Sequence, residues 1–168
     1  MLVRKLTEDD LDAFWTLRLR ALQDNPEAFG STYEETIDRG KEAMLQRIGV
    51  GQGDGIFSMG AFDDALIGTV GFRRDEGLKE RHKGFVFGMY VIPERRGQGA
   101  GKALMLELIA RARRMEGLEQ IHLAVVTTNQ AAVRLYRSLG FDLLGTMPGA
   151  LKSGDQYWDE HLMMLRLT

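Results

Sequence analysis

The sequence holds no cysteine, which excludes disulfide bonds, thiolate nucleophiles and cysteine-ligated metals. Histidine is sparse: His82, His122 and His161 lie far apart, no pair has the spacing of metal ligands, and no bound metal is expected. No apolar run approaches the roughly 20 residues needed to cross a bilayer, so no membrane partner is expected. An excess of positive charge is missing as well: 22 basic against 24 acidic residues give a net charge of −2, with no general attraction to nucleic acid. The opening MLVRKLTEDD lacks the long apolar stretch of a signal peptide, which makes the cytoplasm the expected compartment. Repeats, low-complexity tracts and linkers are absent too, so the 168 residues are expected to form one domain, 1–168, with a substantial core.

What is present reads as alternating strands and helices. LVRKL is strand-like; Thr7 can cap a helix with Glu8, Asp9 and Asp10 in its first turn, running through LDAFWTLRLRAL and ending near Pro26. PEAFGSTYEE reads as an irregular loop, followed by a second helix over Glu34 to Arg47. GIFSMGAF and ALIGTVGFRR form strands joined by a tight turn at Asp63-Asp64. GFVFGMYVI is the most apolar strand, with a bulge or close backbone approach suggested at Gly88 and an end at Pro93. Leu104, Met105, Leu108, Ile109 and Ala112 recur at helical spacing, QIHLAVVT is a further strand, and Asn129 can cap QAAVRLYRSL, with Gly140 ending it. FDLLGTMP and YWDEHLMMLRL complete the order βααβββαβαββ. That order predicts an α/β fold, a mixed sheet of about seven strands with about four helices on its faces.

Glycine is plentiful, 20 in all, and three fall within five positions in RRGQGAGKAL. A P-loop read back from Gly101-Lys102 would need glycine at Arg96 and a hydroxyl at Ala103. A dinucleotide fingerprint would need glycine at Lys102 or at Leu104. The pattern that fits is [RQ]-x-x-G-x-[GA], at Arg96, Gly99 and Gly101, between an apolar strand and an amphipathic helix. The first N–H groups of a helix lack internal partners and sit at its positive end, so small residues there leave room for a pyrophosphate, with Arg96 and Lys102 adding charge.

In this context the chain resembles the GNAT superfamily of N-acetyltransferases, over nearly its whole length in element order and most strongly from Gly84 to Phe141. GMYVIPERRGQGAGKAL is similar to that superfamily's acetyl-CoA motif. VVTTNQAAVRLYRSLGF is similar to its next segment, through Asn129, Ala132, Leu135, Tyr136, Gly140 and Phe141, and YWDEHLMMLRL to its closing strand. The resemblance implies acetyl-CoA as cosubstrate. Backbone groups of Met89, Tyr90 and Val91 would hold the pantetheine arm where two strands splay. Arg96, Gly97, Gln98, Gly99, Ala100, Gly101 and Lys102 would cradle the pyrophosphate, and Asn129 would contact the cofactor further along. Tyr136 would meet the cofactor's sulfur end and protonate the departing thiolate, since a free phenol with a pKa of about 10 is protonated at neutral pH.

The strand before the glycines carries no carboxylate ahead of Glu94, so no general base is identified. Phe29 and Tyr33 would line the acceptor pocket, and Glu34, with Glu35 and Asp38, would suit a cationic amine. The expected acceptor is a small amine, an amino acid or an amine-bearing antibiotic. A protein N-terminus or lysine is the alternative, and a non-catalytic acyl-CoA sensor is the rival class. A homodimer is implied only at the level of the superfamily. A nucleic-acid module, suggested by ERR and RARRM, is disfavoured by the acidic balance and by Arg113 leaving the face that Arg111 and Arg114 share.

Overall fold

The computed structural model describes residues 1–167. Seven strands form one sheet in the order β1-β2-β3-β4-β5-β7-β6, with β1 Leu2–Lys5, β2 Ile56–Asp63, β3 Ala65–Arg74, β4 Lys83–Val91, β5 Gln120–Val126, β6 Asp142–Ser153 and β7 Gln156–Arg166. Every pairing is antiparallel except β4 with β5, which is parallel and therefore needs a crossover. The crossover is α4, Ala100–Ala112.

Strand alternation sorts the side chains to two faces. Phe57, Met59 and Ala61 of β2 join Leu104, Met105 and Leu108 of α4, and Val133 and Tyr136 of α5 (Gln130–Ser138), in the main core. Phe62, one step out of that alternation, packs instead with Leu6, Phe14, Met44 and Ile48 under α1 (Leu11–Asp24) and α3 (Ala43–Ile48).

The single helix expected from Glu34 to Arg47 is two: α2, Tyr33–Arg39, and α3. Gly40 separates them at φ 83°, a left-handed value that no helix continues through, and its N–H closes the end of α2 on Thr36 and Ile37. The helices therefore number five rather than four among the described residues. The Asp63-Asp64 turn is present, with Asp64 itself at φ 63°.

Two irregularities in β4 open the sheet beside it. Thr69 pairs with Tyr90 and Gly71 with Phe87, so Gly88 and Met89 together oppose Val70 alone; this is a bulge, with Gly88 at φ 63°. On its other edge β4 pairs with β5 only from Lys83 to Phe85, while β5 follows β7 as far as Val126 opposite Glu160. Beyond Phe85 and His122 the two central strands part, and the expected splay is present.

Candidate active site

The glycine segment leaves β4 through a short turn at Pro93–Arg95 and enters α4. Gly97 lies at φ 73° and Gly99 at φ 88°, and a side chain begun at either would meet no atom within 4 Å. Glycine is thus required by the backbone rather than by crowding, and the space above it is open. Ala103 is the first residue to bond back, to the Gly99 carbonyl at 3.0 Å. None of the N–H groups of residues 97–102 makes a short, well-aligned backbone hydrogen bond among the described residues, and they lie at the positive end of α4. Lys102 stands exposed on the first turn.

Arg96 does not simply add charge. Its Nε donates to the Val91 carbonyl at 2.9 Å and its Nη2 to Asn25 Oδ1 at 2.8 Å, a strut between the loop and the end of β4. The Gln98 amide donates to the Glu94 carbonyl at 3.2 Å.

A cleft of about 590 Å³ runs from this loop along the splay and brings together Met89, Val91, Gly99, Lys102 and Asn129. Asn129 Oδ1 accepts from the Ala132 N–H at 3.2 Å, capping α5 and fixing that wall. The Tyr90 side chain is turned away: it is buried against Leu17 and Ala21, and its hydroxyl donates to Asp24 at 2.7 Å. Burial, then that bond to Asp24, push its pKa up to about 12. The Tyr90 backbone pairs with Thr69 of β3, and its carbonyl lies 2.9 Å from where a side chain on Gly68 would begin.

Between the parted strands lies a smaller cavity of about 60 Å³, bordered by Phe29, Phe87, Gly88, Val126, Asn129 and Tyr136. Tyr136 is 5% exposed, and burial pushes its phenol well above the usual range, so the hydroxyl is protonated at neutral pH. No sealed side-chain polar atom lacks a partner among the described residues, and this hydroxyl makes no bond to protein, so it opens onto the cavity.

Phe29 borders both spaces, whereas Tyr33 and Glu34 border neither. Glu34 is exposed on α2, and the neighbouring Glu35 carboxylate is engaged in the helix cap, accepting from the Thr32 N–H at 3.0 Å. A larger, open groove of about 1030 Å³ near Asp54, Arg74 and Arg111 lies beside the start of β4, away from the splay and the glycines.

Two arginines that motif spacing does not single out stack on rings that border the cavity beside Tyr136. Arg18 of α1 is 5% exposed, and its guanidinium lies 4.8 Å over the Phe29 ring. Arg47 of α3 lies 4.7 Å over the Phe87 ring, with Nη2 3.0 Å from where a side chain on Gly88 would begin. Among the described residues neither makes an ion pair or side-chain hydrogen bond to protein, and no sealed side-chain polar atom is unpartnered, so their guanidinium nitrogens keep access to open space. Burial, then the Arg47 charge, pull Arg18 down to about 9; burial, then Arg73 and Arg39, pull Arg47 down to about 10. Both stay charged at neutral pH. Desolvating an ion costs several kcal/mol, and a ring face returns about 0.5–2 kcal/mol, so stacking alone leaves a deficit. The signal was present in the sequence: Phe14, Leu17, Arg18, Ala21 and Leu22 recur at i, i+3, i+4, i+7 and i+8, which puts a charge on the apolar stripe of α1.

The Acetyltransferase (GNAT) family profile matches residues 15–141. The chain is 36% identical over 135 residues to a mycothiol acetyltransferase of Thermobispora bispora, covering 79% of this chain and 43% of that protein. It is 37% identical over 79 residues to the L-methionine sulfoximine/L-methionine sulfone acetyltransferase of Pseudomonas aeruginosa, covering 47% of this chain and 45% of that protein. A GNAT superfamily phosphinothricin acetyltransferase from Sinorhizobium meliloti, solved in complex with AcCoA, matches with a TM-score of 0.82 at 26% identity, over 98% of this chain and 87% of that one. The chain spans less than half the length of these curated relatives.

Proposed function

This chain belongs to the GNAT acetyltransferase family, and from that premise we propose that residues 1–168 form one acetyltransferase domain that moves an acetyl group from acetyl-CoA to the primary amine of a small molecule. The observation that supports this reading is that two neighbouring spaces share Phe29, Met89, Val126 and Asn129 in their walls: a cleft at the glycine loop, and a cavity bordered by a buried, protonated phenol. A pyrophosphate fits the N–H cradle, because Gly97 and Gly99 hold the backbone in left-handed conformations with nothing above them.

Acetyl-CoA supplies a thioester carbonyl that a neutral amine can attack, with the carbon–nitrogen bond forming as the carbon–sulfur bond breaks. Beyond Phe85 the edge of β4 has lost its β5 partner, so outward N–H groups of the Met89–Val91 segment are left to pair with an extended amide chain and to polarise a carbonyl, while the Val91 carbonyl already accepts from Arg96. Tyr136 donates its hydroxyl proton to the departing sulfur, for which a phenol held protonated by burial is suited. The proton lost by the amine leaves through water, since β4 carries no carboxylate. The relatives named for mycothiol and for methionine sulfoximine and sulfone support a small-molecule acceptor over a protein.

The test is free-thiol release from acetyl-CoA across a panel of amines. Release that depends on an amine and tracks formation of its N-acetyl product upholds the reading. Release no faster than the amine-free control across the panel leaves only an acyl-CoA-binding sensor.

A further inference from the structure

We propose that Arg18 and Arg47 form an anion subsite beside the splay, and that the acceptor is an amine carrying its own carboxylate, as an amino acid does. This rests on the acetyltransferase reading and names its substrate class. Around the two guanidinium groups, the partners that buried charges normally keep are missing. Arg18 is buried on the inner face of α1 and Arg47 is stacked on Phe87, yet no carboxylate neutralises either among the described residues. Each instead suffers the charge of another arginine: Arg47 acts on Arg18, while Arg73 and Arg39 act on Arg47. Buried charges persist where they are paired, and a pair that the protein does not supply is left for a ligand.

The position fits an acceptor. Phe29, under Arg18, and Phe87 and Gly88, against Arg47, all border the cavity that the Tyr136 hydroxyl faces. A carboxylate held by these guanidinium groups would place its amine at the opening between β4 and β5. The cofactor's phosphates have a separate anion site, the N–H cradle at the start of α4. Arginine suits a carboxylate because its planar fork can give two parallel hydrogen bonds. The exposed Glu34 and Asp38, which the sequence suggested for a cationic acceptor, lie outside the cavity.

The experiment compares matched substrates and one isosteric variant. L-amino acids, including L-methionine sulfone, are assayed with acetyl-CoA beside their carboxamides. The acid of the best pair is expected to exceed its amide at least 30-fold in kcat/KM. In Arg18→Met, which keeps the side-chain volume, the acid's KM is expected to rise at least 30-fold and the acid preference to collapse. The KM for acetyl-CoA and the melting temperature stay level or rise. Arg47→Lys, which keeps the charge but loses the fork, should fall between the two. Amides that react as well as acids overturn the proposal. So does an Arg18→Met protein that melts early with its acid preference intact, which would make Arg18 a packing residue. If no amine reacts, the transferase reading fails, and the subsite is judged separately by calorimetry of the CoA-loaded protein. Binding of N-acetyl-amino acids but not of their carboxamides upholds it, and binding of neither overturns it.

Discussion

The ring of Tyr136 packs 5.9 Å from that of Phe141 at an interplanar angle of 57°, so this phenol is fixed by its ring while its hydroxyl faces the cavity between β4 and β5. Ring and hydroxyl can therefore be separated by mutation. Tyr136→Phe keeps the packing and should leave the melting temperature and acetyl-CoA affinity unchanged. Removing a general acid typically costs roughly 10²–10⁴-fold, and a thiolate leaves readily, so turnover should fall by about 30- to 100-fold. Steady-state kinetics beside a thermal melt and a CoA titration decide it: turnover within threefold of wild type would remove Tyr136 from the reaction.

Gly99→Val should weaken acetyl-CoA binding at least tenfold, about 1.4 kcal/mol. The substitution forces a branched residue to φ 88° and covers the N–H groups behind it. Arg96→Ala removes a strut from Val91 and Asn25 rather than the cradle itself, and should cost only a few-fold. Calorimetry on folded proteins checks both, and normal affinity in Gly99→Val would sink the cradle.

Asp10 sets an acid limit on stability. Its carboxylate accepts from Arg4 at 2.7 and 2.8 Å and from the Thr7 N–H at 2.8 Å, and the bond to Arg4 chiefly holds its pKa down at about 2, against 3.8 for the free side chain. A depressed carboxylate contributes stability that is fully present above the unfolded value and is lost as pH falls through the folded one. With the half-exposed Arg4 screened by water, Asp10→Asn should cost about 1–2 kcal/mol at pH 7. The gap to wild type should close between pH 4 and pH 2 in denaturant titrations. A gap that does not depend on pH would refute the charge argument.

Glu160, opposite Val126, should show the reverse slope. Burial raises its carboxyl above the usual range, so the folded state holds the proton more tightly and loses stability as pH rises through the unfolded value and up to the folded one. Glu160→Gln is expected to melt higher than wild type at pH 8 and no higher at pH 4. Equal melting at both values would show that the carboxylate is well solvated.

Sequence and structure divided the work unevenly. Local signals were legible where one short stretch decides the outcome. The glycines at 97 and 99 mark backbone that only glycine readily adopts, the β4–α4 junction follows from an apolar strand ending at Pro93, and Asn129 caps α5 as its side chain allows. Gly40 is the same kind of signal, and at φ 83° it divides the helix expected over Glu34 to Arg47 into α2 and α3.

Relations between distant segments belonged to the tertiary structure. β4 and β5 part because one pairs with β3 through a bulge while the other follows β7, and no local pattern specifies where two such strands lose each other. The burial that keeps Tyr136 protonated comes from packing in the main core, beside Phe141 and the strands. Arg18 shows both halves at once. Its sequence placed a charge on the buried stripe of a helix, and only folding, by bringing Arg47 rather than a carboxylate into range, left that charge without a partner.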